Sequence, residues 1–419
     1  MVAPTTAAKP SGNIVVWMQE ANQDQIEQTI LDDFQAEYPD ITVEFVNYSP
    51  QESWNQLSLA IQGGTGAADV VLGETQAVGR ILDLGGLTDL TELIAPYQDN
   101  INAPMLDFSS KDGKIYAATW DVGPVMLYYR RDIFEAAGLP TDPNEVNELV
   151  STWDKFLGVC QTILDETGLP CFASNKANNY GTVYTNMLWQ QGLGFYSDDG
   201  TVTIDSPENV VTLEKLGEFW DAGVVSEDLE WTDGWYAALN APPDDPNVKA
   251  VATIPIAAWM GGFLKNWAAA DRSGDWGVVE TPAFAEGQPR SANQGGSTFV
   301  IPEQSQNKEA AWAFIEYIIG REESQIEIFK YGDIFPALET TYSDPVFSET
   351  DPYFADQPVR ELYVKSALAM PKANIYGPYA STMSAAVATA VQKFAIGEMS
   401  AADALKEAAD SVRLETGLQ

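Results

Sequence analysis

Between Asn13 and Leu72 short apolar runs alternate with amphipathic ones, and this alternation restricts the fold more than any other feature of the chain. NIVVW (13–17) reads as a buried strand. A helix follows with Ile26, Ile30 and Phe34 at i, i+4 and i+8, stopped by Pro39. ITVEFV (41–46) alternates in part like a strand. Trp54, Leu57 and Ile61 then share one face of a second helix that ends at the glycine-rich residues 63–66. DVVL (69–72) is another buried strand. Strands joined through helices by short connections predict a mainly parallel α/β sheet. With 419 residues the chain has room for about two or three domains.

Beyond Gly113, two strand-like runs flank Trp120, Asp121, Val122, Gly123 and Pro124, and an amphipathic helix is expected from Arg131. Further helices are expected over 153–165, 184–191, 207–222 and 308–320, the last with Gly320 as its C′ residue, and across the alanine-rich tail 381–414. Residues 1–11, small and proline-containing, read as a flexible tether with no apolar leader. The most apolar later window, 251–270, is interrupted by Pro255, Gly261, Gly262, Lys265 and Asn266, so a soluble chain is expected.

Charge narrows the function. Sixty-one acidic residues against 22 basic ones give a net charge of −39. Such a surface repels phosphate backbones and anionic lipid headgroups, so nucleic acid is not an expected partner. The chain has no histidine, which removes Ser-His, Cys-His and His-metal mechanisms together. It also predicts ligand binding that is flat from about pH 6 to 8. GGTG follows a helix without opening another that carries a lysine, so it is a turn rather than a phosphate loop. Asp244 and Asp245 lack the alternating spacing of a calcium loop, and no metal or cofactor is expected. What remains is carboxylate chemistry, lysine or tyrosine chemistry, or binding alone. Glu20, Glu74 and Asp121 follow strand-like runs, where open α/β sheets place ligands; the plainer account makes them exposed loop acids.

The 12 tryptophans carry more information. Trp17 ends the first strand, Trp120 lies in a connection between strands, Trp231 and Trp235 sit in the loop-like EWTDGWY, and Trp259 follows an apolar strand in IPIAAWMGGF. Trp153, Trp220 and Trp312 fall inside periodic runs and read as core. Rings at strand ends, mixed with amides and carboxylates, suit a sugar: the ring stacks on its C–H face and the polar groups take its hydroxyls.

Several stretches together resemble the family 1 extracellular solute-binding proteins of carbohydrate importers, the group that includes maltose-binding protein. They are FQAEYPDITVEFV, ADVVLGETQAVGRILDLGGLTDL, GKIYAATWDVGPVMLYYRRDIFEAAGLP with TWDKF, IPIAAWMGGFLKNW, NQGGSTFVIPEQSQNKEAAWAFIEYIIG and GEMSAADALKEAADSV, in this order from about residue 13 to the C-terminus. The resemblance implies an α/β, two-lobed periplasmic-binding-protein type II fold, each lobe a mainly parallel sheet flanked by helices, with the ligand cleft between lobes. One lobe would comprise 12–122 plus 285–332 and the other 123–284 plus 333–419. The crossings would fall near 122–125, 281–284 and 332–336.

By the same resemblance Trp259 is a stacking tryptophan, and Glu74 and Gln76 bind hydroxyls. Trp17, Gln19 and Glu20 match the first binding loop, and Asp121 stands at the first crossing. Trp120, Tyr180, Trp235 and Gly295 complete the expected site. The loop WMQE, and Gly73 where maltose binders carry an aromatic, point to another neutral mono- or oligosaccharide. The implied partners are a carbohydrate and the membrane permease of an ABC importer. The chain is expected to be a monomer, exported, and either free in the periplasm or lipid-anchored. Cys160 and Cys171 would close a small disulfide loop in an exported protein, and remain free buried thiols in a reducing compartment. A binder of polyamines or other cations and a carboxylate-dependent glycosidase stay open as alternatives.

Overall fold

In the computed structural model, which describes residues 9–176, 182–376 and 379–419, eight strands form the two larger sheets. In chain order they are β1 (Gly12–Met18), β2 (Ile41–Asn47), β3 (Val70–Glu74), β4 (Ala117–Thr119), β5 (Val125–Arg130), β6 (Thr253–Ala257), β7 (Trp276–Glu280) and β8 (Ser297–Val300). Of the tether assigned to residues 1–11, residues 1–8 lie outside the described residues.

By internal contact the chain divides into two units, Met1–Val122 with Gly296–Tyr342 and Gly123–Gly295 with Ser343–Gln419. Residues 285–295 thus belong with the second unit and 333–342 with the first, opposite to the sequence expectation. Backbone pairing explains both. The Val125 N–H donates to the Ala292 carbonyl at 3.0 Å and Pro124 bridges Asn293, tying that segment to the start of β5. The Val122 N–H donates to the Phe335 carbonyl at 3.0 Å and Asp121 bridges Pro336, tying the later segment to the first unit.

The first unit's sheet has the order β2-β1-β3-β8-β4. β1 runs parallel to β2 and β3, while β8 is antiparallel to β3 and β4. The alternation of β1 sends its side chains to two cores. Ile14, Val16 and Met18 pack with Phe34, Phe314 and Ile318 on one face, and Trp17 packs with Trp54, Leu57 and Val71 on the other. The expected first helix is two, Glu20–Thr29 and Leu31–Glu37, broken at Ile30 (φ −119°), yet Ile26, Ile30 and Phe34 still share one core. The helix Pro50–Gly63 starts at a Ser49 cap and ends at left-handed Gly64. Gly320 ends the helix Lys308–Ile319 without adopting the left-handed conformation expected of a C′ glycine. It is glycine because a Cβ would stand 2.8 Å from the Tyr97 ring.

The second unit's three-stranded sheet, β6-β5-β7, is antiparallel, where a mainly parallel one is expected. Topology is the reason. β5 leads away from the first passage between units and β7 leads back toward the second, so neighbours must run oppositely. The same logic sets β4, which leads toward a passage, against β8, which leaves one. β5 is buried throughout, and at its end the fully buried Arg130 pairs with Asp132 and donates to the carbonyls of Leu239 and Ala241. It thereby holds the end of the helix Asp233–Asn240. Helices Trp153–Thr167, Thr182–Gln190, Pro207–Asp221, Ala380–Ala395 and Ala401–Thr416 lie where the sequence predicts them, the tail split at Gly397. A disulfide joins Cys160 in the first of these helices to Cys171, with Cα atoms 5.1 Å apart. Among the described residues no helix is long and apolar enough to cross a membrane.

Candidate functional site

In the first unit the expected residues gather at one sheet edge. Parallel pairing of Trp17 with Val71 brings the end of β1 beside the end of β3, and antiparallel pairing of Ser297 with Glu74 brings in the start of β8. Carboxyl ends of parallel strands are where α/β sheets present ligand groups. Glu74 is the last residue of β3 and is followed by the turn Thr75–Ala77. The Gln76 side-chain amide donates to its carboxylate, and the Trp54 indole N–H donates to its backbone carbonyl at 3.0 Å. Trp54 is fully buried beneath this edge, and a Cβ on Gly73 would lie 2.2 Å from its ring. Gly73 is therefore dictated by Trp54, whose ring fills the space that a side chain at 73 would need.

Asp121 is 5 % exposed, and its Oδ1 accepts the Ser297 N–H at 2.7 Å. Burial, reinforced by the charge of Glu74, pushes its carboxyl up to about 7 despite that hydrogen bond. Burial also raises Glu74, which the Gln76 amide only partly offsets. A histidine-free chain can thus hold a group that titrates between pH 6 and 8 when a carboxyl is desolvated. Gln19 occupies the N-cap position of the helix that Glu20 begins, without a side-chain capping bond; Gln19 is half-buried and Glu20 exposed.

In the second unit Trp259 follows β6 and is half-buried. Its indole N–H donates to the Gln294 carbonyl at 3.1 Å, fixing the ring. Gly295 adopts φ 92°, and its N–H donates to the Tyr376 hydroxyl at 3.3 Å. A Cβ there would stand 3.4 Å from the Trp259 indole nitrogen, which makes Gly295 a neighbour of that ring. Trp231 lies against Trp259 with centroids 5.7 Å apart and rings tilted by 33°. It is 44 % exposed and holds a left-handed φ of 67°, a conformation rare for an aromatic residue. Next to it, burial pushes the Glu230 carboxyl up to about 7.

Three expected tryptophans are core instead. Trp17 is 8 % exposed and meets Tyr48 edge-on, Trp120 is 1 % exposed and lies on Phe299, and Trp235 is 1 % exposed behind Trp231. None of the three has an open face to give a ligand. Tyr180 lies outside the described residues. Sequence reasoning singled out both tryptophans of this loop but placed only Trp235 in the expected site, and it did not mark Glu230. EWTDGWY marks a loop with two tryptophans, but only the backbone shows that Trp231 is the outer one. Among the described residues no group of three or more acidic or cysteine side chains could hold a metal ion.

A sequence model described as bacterial extracellular solute-binding protein matches residues 29–355. The chain belongs to this family. Among its relatives, the arabinooligosaccharide-binding protein of Halalkalibacterium halodurans is 27 % identical over 328 residues, covering 76 % of this chain and 69 % of that one. The lactose-binding protein of Rhizobium radiobacter is 23 % identical over 390 residues, 90 % of this chain and 87 % of that one. In fold, the chain resembles the ABC-transporter-associated binding protein of B. animalis subsp. lactis, solved with beta-1,6-galactobiose. The TM-score is 0.77 at 22 % identity, covering 97 % of this chain and 99 % of that one. The α/β architecture is that of the two-lobed solute-binding proteins.

Proposed function

We propose that this solute-binding protein captures a neutral mono- or oligosaccharide outside the cytoplasmic membrane and delivers it, as a monomer, to the permease of an ABC importer. The observation that carries this reading is the pair of accessible indoles, Trp259 and Trp231, held by a backbone hydrogen bond and a left-handed residue rather than by core packing alone. Indole faces bind the C–H face of a pyranose or furanose. Glu74 and Gln76 in the first unit and Glu230 in the second carry acceptors and donors suited to hydroxyls, and burial raises both carboxyls. Relatives that bind arabinooligosaccharides and lactose support the ligand class.

Of the raised carboxyls, Asp121 is buried and committed to the Ser297 amide, which removes it as the acid of a glycosidase. The mechanism proposed is binding without bond cleavage. Incubation with the bound oligosaccharide tests this: the sugar is recovered intact if the reading holds, and new reducing ends overturn it.

A further inference from the structure

The aromatic surface of the second unit does not stop at Trp259 and Trp231. Trp231 meets Phe263 edge-on with centroids 5.9 Å apart, and Phe263 meets Trp267 edge-on at 4.5 Å. Tyr236 closes the group at 4.5 Å from Trp267 and 5.9 Å from Phe263. Trp267 is 59 % exposed, more than Trp231. Both exposed indoles sit on irregular backbone. Trp231 has positive φ, and Trp267 belongs to a π-helical turn, Leu264–Ala268, a geometry that recurs at functional sites. Buried packing alone would not select such conformations to present two large rings to water.

We propose that this strip, Trp259–Trp231–Phe263–Trp267, receives successive units of an oligosaccharide, so that the natural ligand is a chain of several sugars rather than a mono- or disaccharide. The inference rests on the reading that Trp259 stacks on a sugar. Its occupant follows from continuity and from shape. The strip begins at the proposed stacking ring and continues through ring-to-ring contacts to Trp267, with Tyr236 packed against Phe263 and Trp267. Asp233, two residues from Trp231, and Asn266, beside Trp267, are both exposed polar residues of these segments. A protein partner instead requires a broad, densely packed apolar patch. Each added sugar unit gains ring contact at little entropic cost, because the chain is already held at Trp259.

Calorimetric titration of the wild type, Trp259→Ala, Trp267→Ala and Trp267→Tyr tests the inference. The probes are arabino-, malto- and β-galacto-oligosaccharides, from the monosaccharide to the hexasaccharide. Wild-type affinity should rise with chain length in the series that binds. Trp267→Ala should lose about tenfold, about 1.4 kcal/mol, on the longest members and leave the disaccharide unchanged, while Trp267→Tyr retains most of the gain. Trp259→Ala should weaken every length. Flat wild-type affinity beyond the disaccharide, or a Trp267→Ala effect that is absent or equal at all lengths, overturns the inference and leaves sugar capture standing. If the wild type binds no member of any series, sugar capture fails and the inference with it. Stoichiometry from the same titrations separates unfolding, which lowers the active fraction, from loss of a contact.

Discussion

Replacing Asp121 with asparagine should make the protein less sensitive to alkaline pH. The carboxyl is 5 % exposed and titrates at about 7 in the folded chain, against an ordinary value of 3.8. A raised carboxyl pKa means that the folded state binds the proton more tightly than the unfolded one. The associated stability is fully present below pH 3.8 and is lost as pH rises through 7. At 1.36 kcal/mol per pKa unit, ionising Asp121 in place costs about 4 kcal/mol in total. Of this, about 2.5 kcal/mol falls between pH 5 and pH 8. Asparagine keeps an oxygen for the Ser297 N–H, now 2.7 Å from Oδ1, without the charge. The stability of Asp121→Asn relative to wild type should therefore improve by about 2.5 kcal/mol from pH 5 to pH 8. Urea unfolding of both proteins at pH 5, 6, 7 and 8 measures that difference directly. Differencing against wild type cancels the general self-repulsion of a chain with net charge −39. A relative stability that is the same at pH 5 and pH 8 would refute the argument that burial controls this carboxyl.

Gly73→Ala should lower the melting temperature by the equivalent of about 1–3 kcal/mol, since its Cβ would fall 2.2 Å from the Trp54 ring; an unchanged melt would show that Trp54 moves freely. Reduction of the Cys160–Cys171 bond, whose cysteines are 11 residues apart, should cost about 3 kcal/mol of stability in urea. Two thiols labelled in the oxidised, exported protein under denaturing, non-reducing conditions would refute the pairing. Trp231→Ala should weaken sugar binding by about 1–3 kcal/mol, taking stacking on nucleobases as the nearest scale. Trp235→Phe, behind it, should change the melt more than the affinity, and calorimetry with thermal melts distinguishes the two.

The order of strands and helices was legible because it is written in local periodicity. Ile26, Ile30 and Phe34 point to one core even though the helix breaks between them. Strand direction in the second unit was not legible, since β5 and its neighbours are separated by more than a hundred residues or by long helical excursions. The site divided along the same line. Glu74, Gln76 and Trp259 follow strands, and strand ends are visible in sequence. The open face of a tryptophan depends on what packs behind it. Trp17 has the neighbour pattern of a site residue but lies beside Tyr48 in the core, whereas Trp231 owes its exposure to a backbone angle. Gly73 looked like a lost aromatic contact. Its cause is nineteen residues upstream, in Trp54. The titration of Asp121 was likewise hidden, because desolvation arises from residues brought together only by folding.

Calorimetric titration of the wild-type protein with a panel of mono- and oligosaccharides, with spermidine in the same panel, decides whether the chain binds neutral sugar. Saturable binding of one sugar series at one site per chain, little weakened by added salt, and no heat with spermidine are expected. Saturable binding of spermidine that falls steeply with salt, with no sugar bound, would contradict neutral-sugar binding.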